Sequence, residues 1–118
     1  MTKQGDFRAA FLSAAADRKK EKVEWQGFEV EVREPSAKER AQIRKNAMKI
    51  QGENIQVDQG ELEVWSVIFC AYDRESGERI FHDADHDALL NLGAATLDTL
   101  ARKTLPYISR NVEEAAKN

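Results

Sequence analysis

The sequence predicts an α+β fold that is mainly α-helical: an N-terminal helix, one β-hairpin at about residues 22–33, and then a bundle of about four to five helices. Two patterns and the chain length lead to this class. Apolar residues recur at three- and four-residue spacing over 62–72, which is typical of an α-helix. Apolar and charged residues alternate over 22–33, which is typical of paired strands. A chain of 118 residues corresponds to one domain, 1–118, with a single core of modest size.

The central element is predicted to be the helix from Leu62 to Tyr72, because Glu63 is the only charge in these eleven residues. A helix that is apolar almost all round must be covered on more than one side. We therefore expect this helix in the middle of the core, with an exposed interface as the less favoured alternative. The sole cysteine, Cys70, lies within it, and a lone buried thiol suits a reducing compartment.

The N-terminal third is predicted to contain a helix and then the hairpin. Asp6 is expected to cap a first helix that carries Phe7 and Phe11 on one face and ends at 18–20, where the helix dipole favours positive charge. The hairpin strands are Lys22–Trp25 and Phe28–Arg33, joined by a two-residue turn that includes Gly27. A lone two-stranded hairpin is marginal in water, so it should lie on the helices or pair with a third strand.

Caps and breakers define the later elements. Ser36 and Glu39 form a capping-box pattern that opens a helix running to about Ile50. Residues 55–60 are predicted to be a loop ending at Asp58, the cap of the central helix. The remaining boundaries follow from the same signals: a turn at 73–77, a helix over 84–92 capped by Asp83 and stopped by Gly93, a helix over 94–104, a break at Pro106, and a last short helix capped by Asn111.

Charge and hydropathy narrow the function classes. The chain has 18 Lys and Arg against 21 Asp and Glu, a net charge of −3 and a charged fraction of 33%. Such a surface favours solubility and argues against nucleic acid as a general partner. The N-terminus has no apolar run of signal-peptide length, and no apolar run approaches the roughly 20 residues of a membrane span. We expect a soluble cytoplasmic protein without a membrane partner.

The segment from His82 to Asp87 is the one cluster that resembles a metal site. As a calcium loop it lacks the required glycine and the twelfth-position Glu, because Ala88 and Ala94 stand there. As a zinc site it offers His82 and His86 but no third strong ligand type nearby. We therefore expect a capped helix start with exposed polar residues, and no metal or cofactor.

No pattern of catalytic residues appears in the sequence. It shows no triad spacing, nucleophile elbow or phosphate-binding glycine motif. Cys70 has no basic neighbour in sequence that would make it a thiolate. We therefore predict that the protein is not an enzyme and has no catalytic residue. One alternative stays open: the basic helix at 37–50 could belong to a small nucleic-acid-binding regulatory protein, although a solvated surface helix explains its charges more simply.

The order of the short motifs resembles that of the tail assembly chaperones of long-tailed bacteriophages and prophages. The resemblance covers roughly residues 7–118, and one departure is the turn at 73–77, which is a residue longer than expected. The motifs that carry it are Val23-x-Trp25-x-Gly27, Val32-Arg33, Ser36-x-x-Glu39-Arg40, an apolar helix ending near Asp73, Gly77-Glu-Arg79-Ile-Phe81, an acidic helix start at Asp85, and a Glu-rich end at Lys117-Asn118.

The resemblance implies a mainly helical protein of the host cytoplasm that is made during infection and is absent from the mature virion. Such chaperones bind the tape measure protein and the tail tube protein and promote assembly of the tube, and many also exist in a longer, frameshifted form. A structural tail-completion component is a further alternative. Since such a client needs apolar surface on its chaperone, the candidate partner-binding residues are Phe7, Phe11, Trp25, Phe28, Tyr107 and Ile108. Self-association is also expected, because so short a chain does not easily cover the first helix and the hairpin.

Overall fold

A computed structural model describes residues 3–14 and 18–108. Within these ranges the chain forms five α-helices and five β-strands, and a 3₁₀ turn at Asp83–Asp85. The α+β, mainly α class is confirmed. In chain order the elements are α1 (Lys3–Ala14), β1 (Lys20–Trp25), β2 (Phe28–Arg33), α2 (Ala37–Ala47), β3 (Met48–Gln51), β4 (Asn54–Val57), α3 (Gln59–Cys70), β5 (Ala71–Asp73), α4 (His86–Leu90) and α5 (Ala94–Thr104).

The predicted hairpin is confirmed, with β1 beginning two residues earlier than expected. β1 and β2 are antiparallel, and Trp25 pairs with Phe28 at the turn. Gln26 and Gly27 both have positive φ, 49° and 85°, as in the turn type whose twist matches that of the two strands.

A third strand completes this sheet, in the order β1-β2-β5. α3 ends at Cys70, and Ala71 is already extended, with φ −94° and ψ 122°. Ala71 pairs with Val32, and Tyr72 pairs with Glu31. The prediction of a helix through Tyr72 is therefore wrong at its end, because the hairpin needs a third strand for stability.

The first helix differs from its prediction at both ends. α1 begins at Lys3, before Asp6, and does not reach 18–20. Arg18 lies outside a helix, and its guanidinium Nη1 is 3.0 Å from the carboxylate Oε1 of Glu39. The helix predicted to start at Asn111 lies outside the described residues.

The predicted capping box at the start of α2 is confirmed. The Ser36 hydroxyl accepts the Glu39 backbone N–H at 3.0 Å, and the Glu39 carboxylate accepts the Ser36 N–H at 2.9 Å. The predicted end near Ile50 is wrong, because α2 stops at Ala47.

The chain continues from α2 into a second hairpin, β3–β4, which replaces the predicted loop at 55–60. Gly52, with φ 62°, lies at its turn. The Asp58 N–H donates to the Ala47 carbonyl at 2.9 Å and closes the base of the hairpin. Asp58 also caps α3, as predicted, by accepting the Glu61 N–H at 2.9 Å.

α3 is the central element of the core, as predicted. One cluster of buried side chains joins it to the sheet, α4 and α5, and a second joins it to α2 and to residues 105–108. Trp65 and Phe69 contact both clusters and are half-buried. The fully covered residues of α3 are Val64, Ser66, Val67, Ile68 and Cys70.

A polar contact crosses this core between α3 and α5. The hydroxyl oxygens of Ser66 and Thr104, both fully buried, lie 2.8 Å apart. The Ser66 hydroxyl is also 2.8 Å from the Glu63 carbonyl, so each buried hydroxyl has a partner.

Two of the expected boundaries before α5 are wrong. Asp83 does not cap a helix; instead the Asp85 carboxylate accepts the His82 N–H at 2.8 Å at the start of the 3₁₀ turn. Gly93 begins the next helix rather than stopping the previous one, since its carbonyl accepts the N–H groups of Thr96 and Leu97. α5 itself spans Ala94–Thr104 as predicted. In the part of the chain that the structure describes, no helix has both the length and the apolar character of a membrane span.

Candidate functional site

The β3–β4 hairpin, which we call the arm, has one apolar face open to solvent. Cross-strand pairs Met48–Val57 and Ile50–Ile55 place four apolar side chains on one side. Their exposed fractions are 41% for Met48, 74% for Ile50, 63% for Ile55 and 51% for Val57. The opposite face is polar, with Lys49, Gln51, Asn54 and Gln56. A two-stranded hairpin with a bare apolar face is marginal in water, so this face is a candidate binding surface.

A groove of about 870 Å³ lies between the tip of the β1–β2 hairpin and helices α4 and α5. Trp25 and Phe28 form one wall, and Leu92 and Leu97 belong to the other. Phe28 is 66% exposed and Trp25 40% exposed. The volume is within the range of roughly 300–1,000 Å³ that ligand sites have in proteins.

The charged residues that line the groove are mainly acidic. They are the carboxylates of Glu29, Asp73 and Glu75 and one guanidinium, Arg74. Arg74 Nη1 lies 3.6 Å from Glu29 Oε2, and Lys22 Nζ lies 2.8 Å from Glu29 Oε1. The hydrogen bond from Lys22 lowers the pKa of Glu29 from its usual value, so this carboxyl stays charged at neutral pH.

The third apolar surface is the exposed stripe of α1. The rings of Phe7 and Phe11 stack with their centroids 5.4 Å apart. Both side chains remain about two-thirds exposed, at 67% and 65%. Leu12, on another side of the same helix, is also exposed.

Comparison with protein-family models, with curated proteins and with solved structures finds no match for this chain.

The predicted partner-binding residues fall into three places. Phe7 and Phe11 share α1, and Trp25 and Phe28 share the groove. Tyr107 is half-buried beside the second core cluster.

Ile108 is a core residue, so its prediction as a partner-binding residue is wrong. Its side chain is 1% exposed and belongs to the buried cluster with Ile43 and Leu62. Its carbonyl accepts a hydrogen bond from Arg44 Nη2 at 2.6 Å. After Pro106 the chain makes one more helical turn, with the Ile108 N–H donating to the Leu105 carbonyl, and this turn points Ile108 inward.

The arm was not among the sequence predictions. Its signal is a short apolar–polar alternation on either side of Gly52, over Met48–Gln51 and Asn54–Val57. The helical spacing of α2 continues into β3, and a strand of only four residues is easily overlooked in such a place.

His86 is held in a network that the sequence did not indicate. Its Nε2 contacts the Glu61 carboxylate of α3, and its Nδ1 lies 2.8 Å from Asp87 Oδ1. The ring stacks on Trp65 with centroids 5.1 Å apart. The side chain is only 20% exposed, so the expectation of exposed polar residues is wrong at this position. The contact between His86 and Glu61 connects α4 to the first turn of α3.

The His86 network should make stability depend on pH. The hydrogen bonds that the protonated imidazole donates to Glu61 and then to Asp87 raise the pKa of His86 in the folded protein above its ordinary value of 6.5. Its stabilising contribution is therefore complete below about pH 6.5 and is lost as pH rises through the folded-state pKa. In thermal melts, the Tm difference between the wild type and His86→Gln should be largest near pH 6 and should shrink towards pH 8.5. The exposed His82→Gln serves as the matched control, and a pH-independent difference for His86→Gln would contradict the role of its charge.

Among the described residues there is neither a cluster of metal ligands nor an activated thiol. Within 3–14 and 18–108, no group of three or more His, Cys, Asp or Glu side chains is placed to hold a metal ion. Burial raises the pKa of the Cys70 thiol to about 12. Such a thiol is neutral at physiological pH and is a poor nucleophile.

Two of the basic residues at 37–50 are engaged within the protein. Arg44 donates to the Ile108 carbonyl, and Lys49 Nζ lies 3.0 Å from Asp58 Oδ2. Lys49 belongs to the arm rather than to α2. The continuous basic helix on which the nucleic-acid hypothesis depended is therefore shorter than expected.

Proposed function

We propose that this protein is a tail assembly chaperone of a long-tailed phage or prophage, which binds the tape measure protein and the tail tube protein in the host cytoplasm and does not remain in the virion. The observation that carries the proposal is the bare apolar face of the arm, formed by Met48, Ile50, Ile55 and Val57. The order of sequence motifs from Val23 to Phe81 supports the same family.

The apolar face of the arm is the kind of surface that a tape measure protein needs on its chaperone. A long helical protein with apolar faces aggregates until its assembly encloses it. Its chaperone must therefore offer apolar surface on a frame that stays dispersed. In this protein a third of the residues are charged, and the arm combines an apolar face with a polar one. A few large side chains should then dominate the binding free energy.

Co-expression with the tape measure protein of the same phage or prophage tests the proposal. The wild type should raise the soluble fraction of the tape measure protein several-fold. Ile50→Asp/Ile55→Asp should remove most of that gain, because it places charges on the apolar face. The matched control, Gln51→Asp/Gln56→Asp, adds the same charges to the polar face and should retain the gain.

Two results would contradict the chaperone function. One is a tape measure protein that is equally insoluble with and without this chain. The other is normal tail assembly in an infection that lacks the gene. Recovery of the protein in purified particles would favour a tail-completion component, and salt-sensitive retention on DNA would favour a nucleic-acid-binding regulator.

A further inference from the structure

The stripe of α1 and the groove are complementary surfaces of the same chain. The stripe presents Phe7 and Phe11, which are one helical turn apart and form a stacked pair. An isolated helix of twelve residues is marginal in water, so α1 needs a cover to be stable. The groove, with Trp25, Phe28 and Leu92 on its walls, is open and apolar.

The charges of the two regions are also complementary. α1 carries two basic residues, Lys3 and Arg8, and one acidic residue, Asp6, so its side chains are basic on balance. The charged residues that line the groove are three carboxylates and one guanidinium, so the groove is acidic on balance. Opposite charge favours encounter and fixes orientation, while apolar anchors supply the affinity.

We propose that α1 of one copy binds in the groove of a second copy, with Phe7 and Phe11 as its anchors. This is the helix-in-groove mode of recognition, in which apolar side chains at i and i+4 enter an apolar cleft. The inference does not depend on the chaperone function, since it concerns only surfaces of this chain.

The length of the connection favours a second copy over the same chain. The chain from α1 enters β1 at Lys20, whereas the groove lies at the other end of β1, beside Trp25. Six strand residues span about 17 Å. The connection from Ala14 to Lys20 spans at most about 22 Å when fully extended. To reach its own groove, α1 would have to turn back along β1 with most of this connection extended, and a second copy removes that constraint.

The proposed contact is directional, because it joins two different surfaces. A copy that lacks the stripe can still receive a helix, and a copy that lacks the groove can still donate one. Two double variants separate these roles: Phe7→Asp/Phe11→Asp, the helix variant, and Phe28→Asp/Leu92→Asp, the groove variant. All four side chains are at least 43% exposed, so both variants should fold.

Sedimentation velocity at micromolar concentration tests the contact. The wild type should show a mass above one chain that increases with concentration. Each variant alone should remain monomeric, and their equimolar mixture should form a dimer with one copy of each. Leu12→Asp, on another side of α1, is the matched control and should assemble like the wild type. Far-UV circular dichroism and melting curves establish that each variant is folded.

A peptide provides a second readout. A synthetic peptide of residues 2–19 contains no Trp, so its binding to a helix variant that also carries Trp65→Phe can be followed by the emission of Trp25. A saturable change is expected, and it should be lost with a peptide carrying Asp at positions 7 and 11. If the groove variant does not fold, Phe28→Ala in the helix variant replaces it and should weaken peptide binding at least tenfold.

Several outcomes would overturn the inference. These are a wild type that is monomeric at all concentrations, variants that assemble as the wild type does, a mixture that stays monomeric, or a peptide that does not bind the helix variant. Loss of assembly in Ile50→Asp/Ile55→Asp alone, with the helix and groove variants unaffected, would place the interface on the arm instead.

Discussion

Replacing Ile68 by alanine should lower the free energy of unfolding by about 2–5 kcal/mol. Ile68 is fully buried in the last turn of α3 and packs in the cluster that joins the helix to the sheet, α4 and α5. The substitution removes the apolar contacts and leaves a cavity that the two layers around α3 cannot easily close. Such a loss is a large part of the 5–15 kcal/mol that typically stabilises a small domain.

Chemical denaturation measures this effect, and Ile55→Ala on the arm is the matched control. Ile55 is 63% exposed, so the same substitution there should change the unfolding free energy by less than about 1 kcal/mol. Equal effects at Ile68 and Ile55 would mean that α3 is not the centre of the core.

Ile108→Ala should also destabilise the protein by about 2–5 kcal/mol, although the sequence placed Ile108 on a partner-binding surface. Its side chain fills the second cluster between α2 and α3 and is almost completely buried. The Arg44 hydrogen bond to its carbonyl holds the turn after Pro106 against α2. Loss of the side chain should therefore loosen residues 105–108 and α2 together.

The comparison that decides this second prediction is Phe28→Ala. Phe28 is 66% exposed in the groove, and its loss should weaken partner binding while leaving the melting temperature nearly unchanged. Ile108→Ala should show a different pattern: the melting temperature of the free protein should fall clearly. An unchanged melting temperature for Ile108→Ala would mean that Ile108 is not a core residue.

Local signals were sufficient to predict much of the fold. The hairpin turn requires positive φ, which Gly27 supplies, and the Ser36–Glu39 capping box begins a helix wherever it forms. An almost wholly apolar helix has to be buried on several sides, and most residues from Leu62 to Cys70 are indeed buried.

The errors occurred where tertiary contacts override local pattern. Tyr72 fits the helical spacing of α3, but pairing with β2 draws Ala71–Asp73 into a strand. The helical spacing of α2 continues past Ala47, but pairing across Gly52 makes Met48–Gln51 extended. For the candidate site, the aromatics Phe7, Phe11, Trp25 and Phe28 were predicted from their places on the first helix and beside the hairpin turn, whereas the groove was not predicted. The arm and the inward turn of Ile108 depend on pairing and packing that no single segment encodes.

The junction between α3 and β5 has a structural consequence. Helix and strand are joined at Cys70–Ala71 without a loop, and the Arg79 side chain donates to the Ile68 carbonyl at 3.0 Å beside this junction. Because no loop separates them, the direction in which α3 leaves Cys70 also sets the direction of β5. The side chains of α3 contact the sheet, α4 and α5 on one side and α2 on the other. We therefore expect a substitution at this junction to disturb both core clusters together.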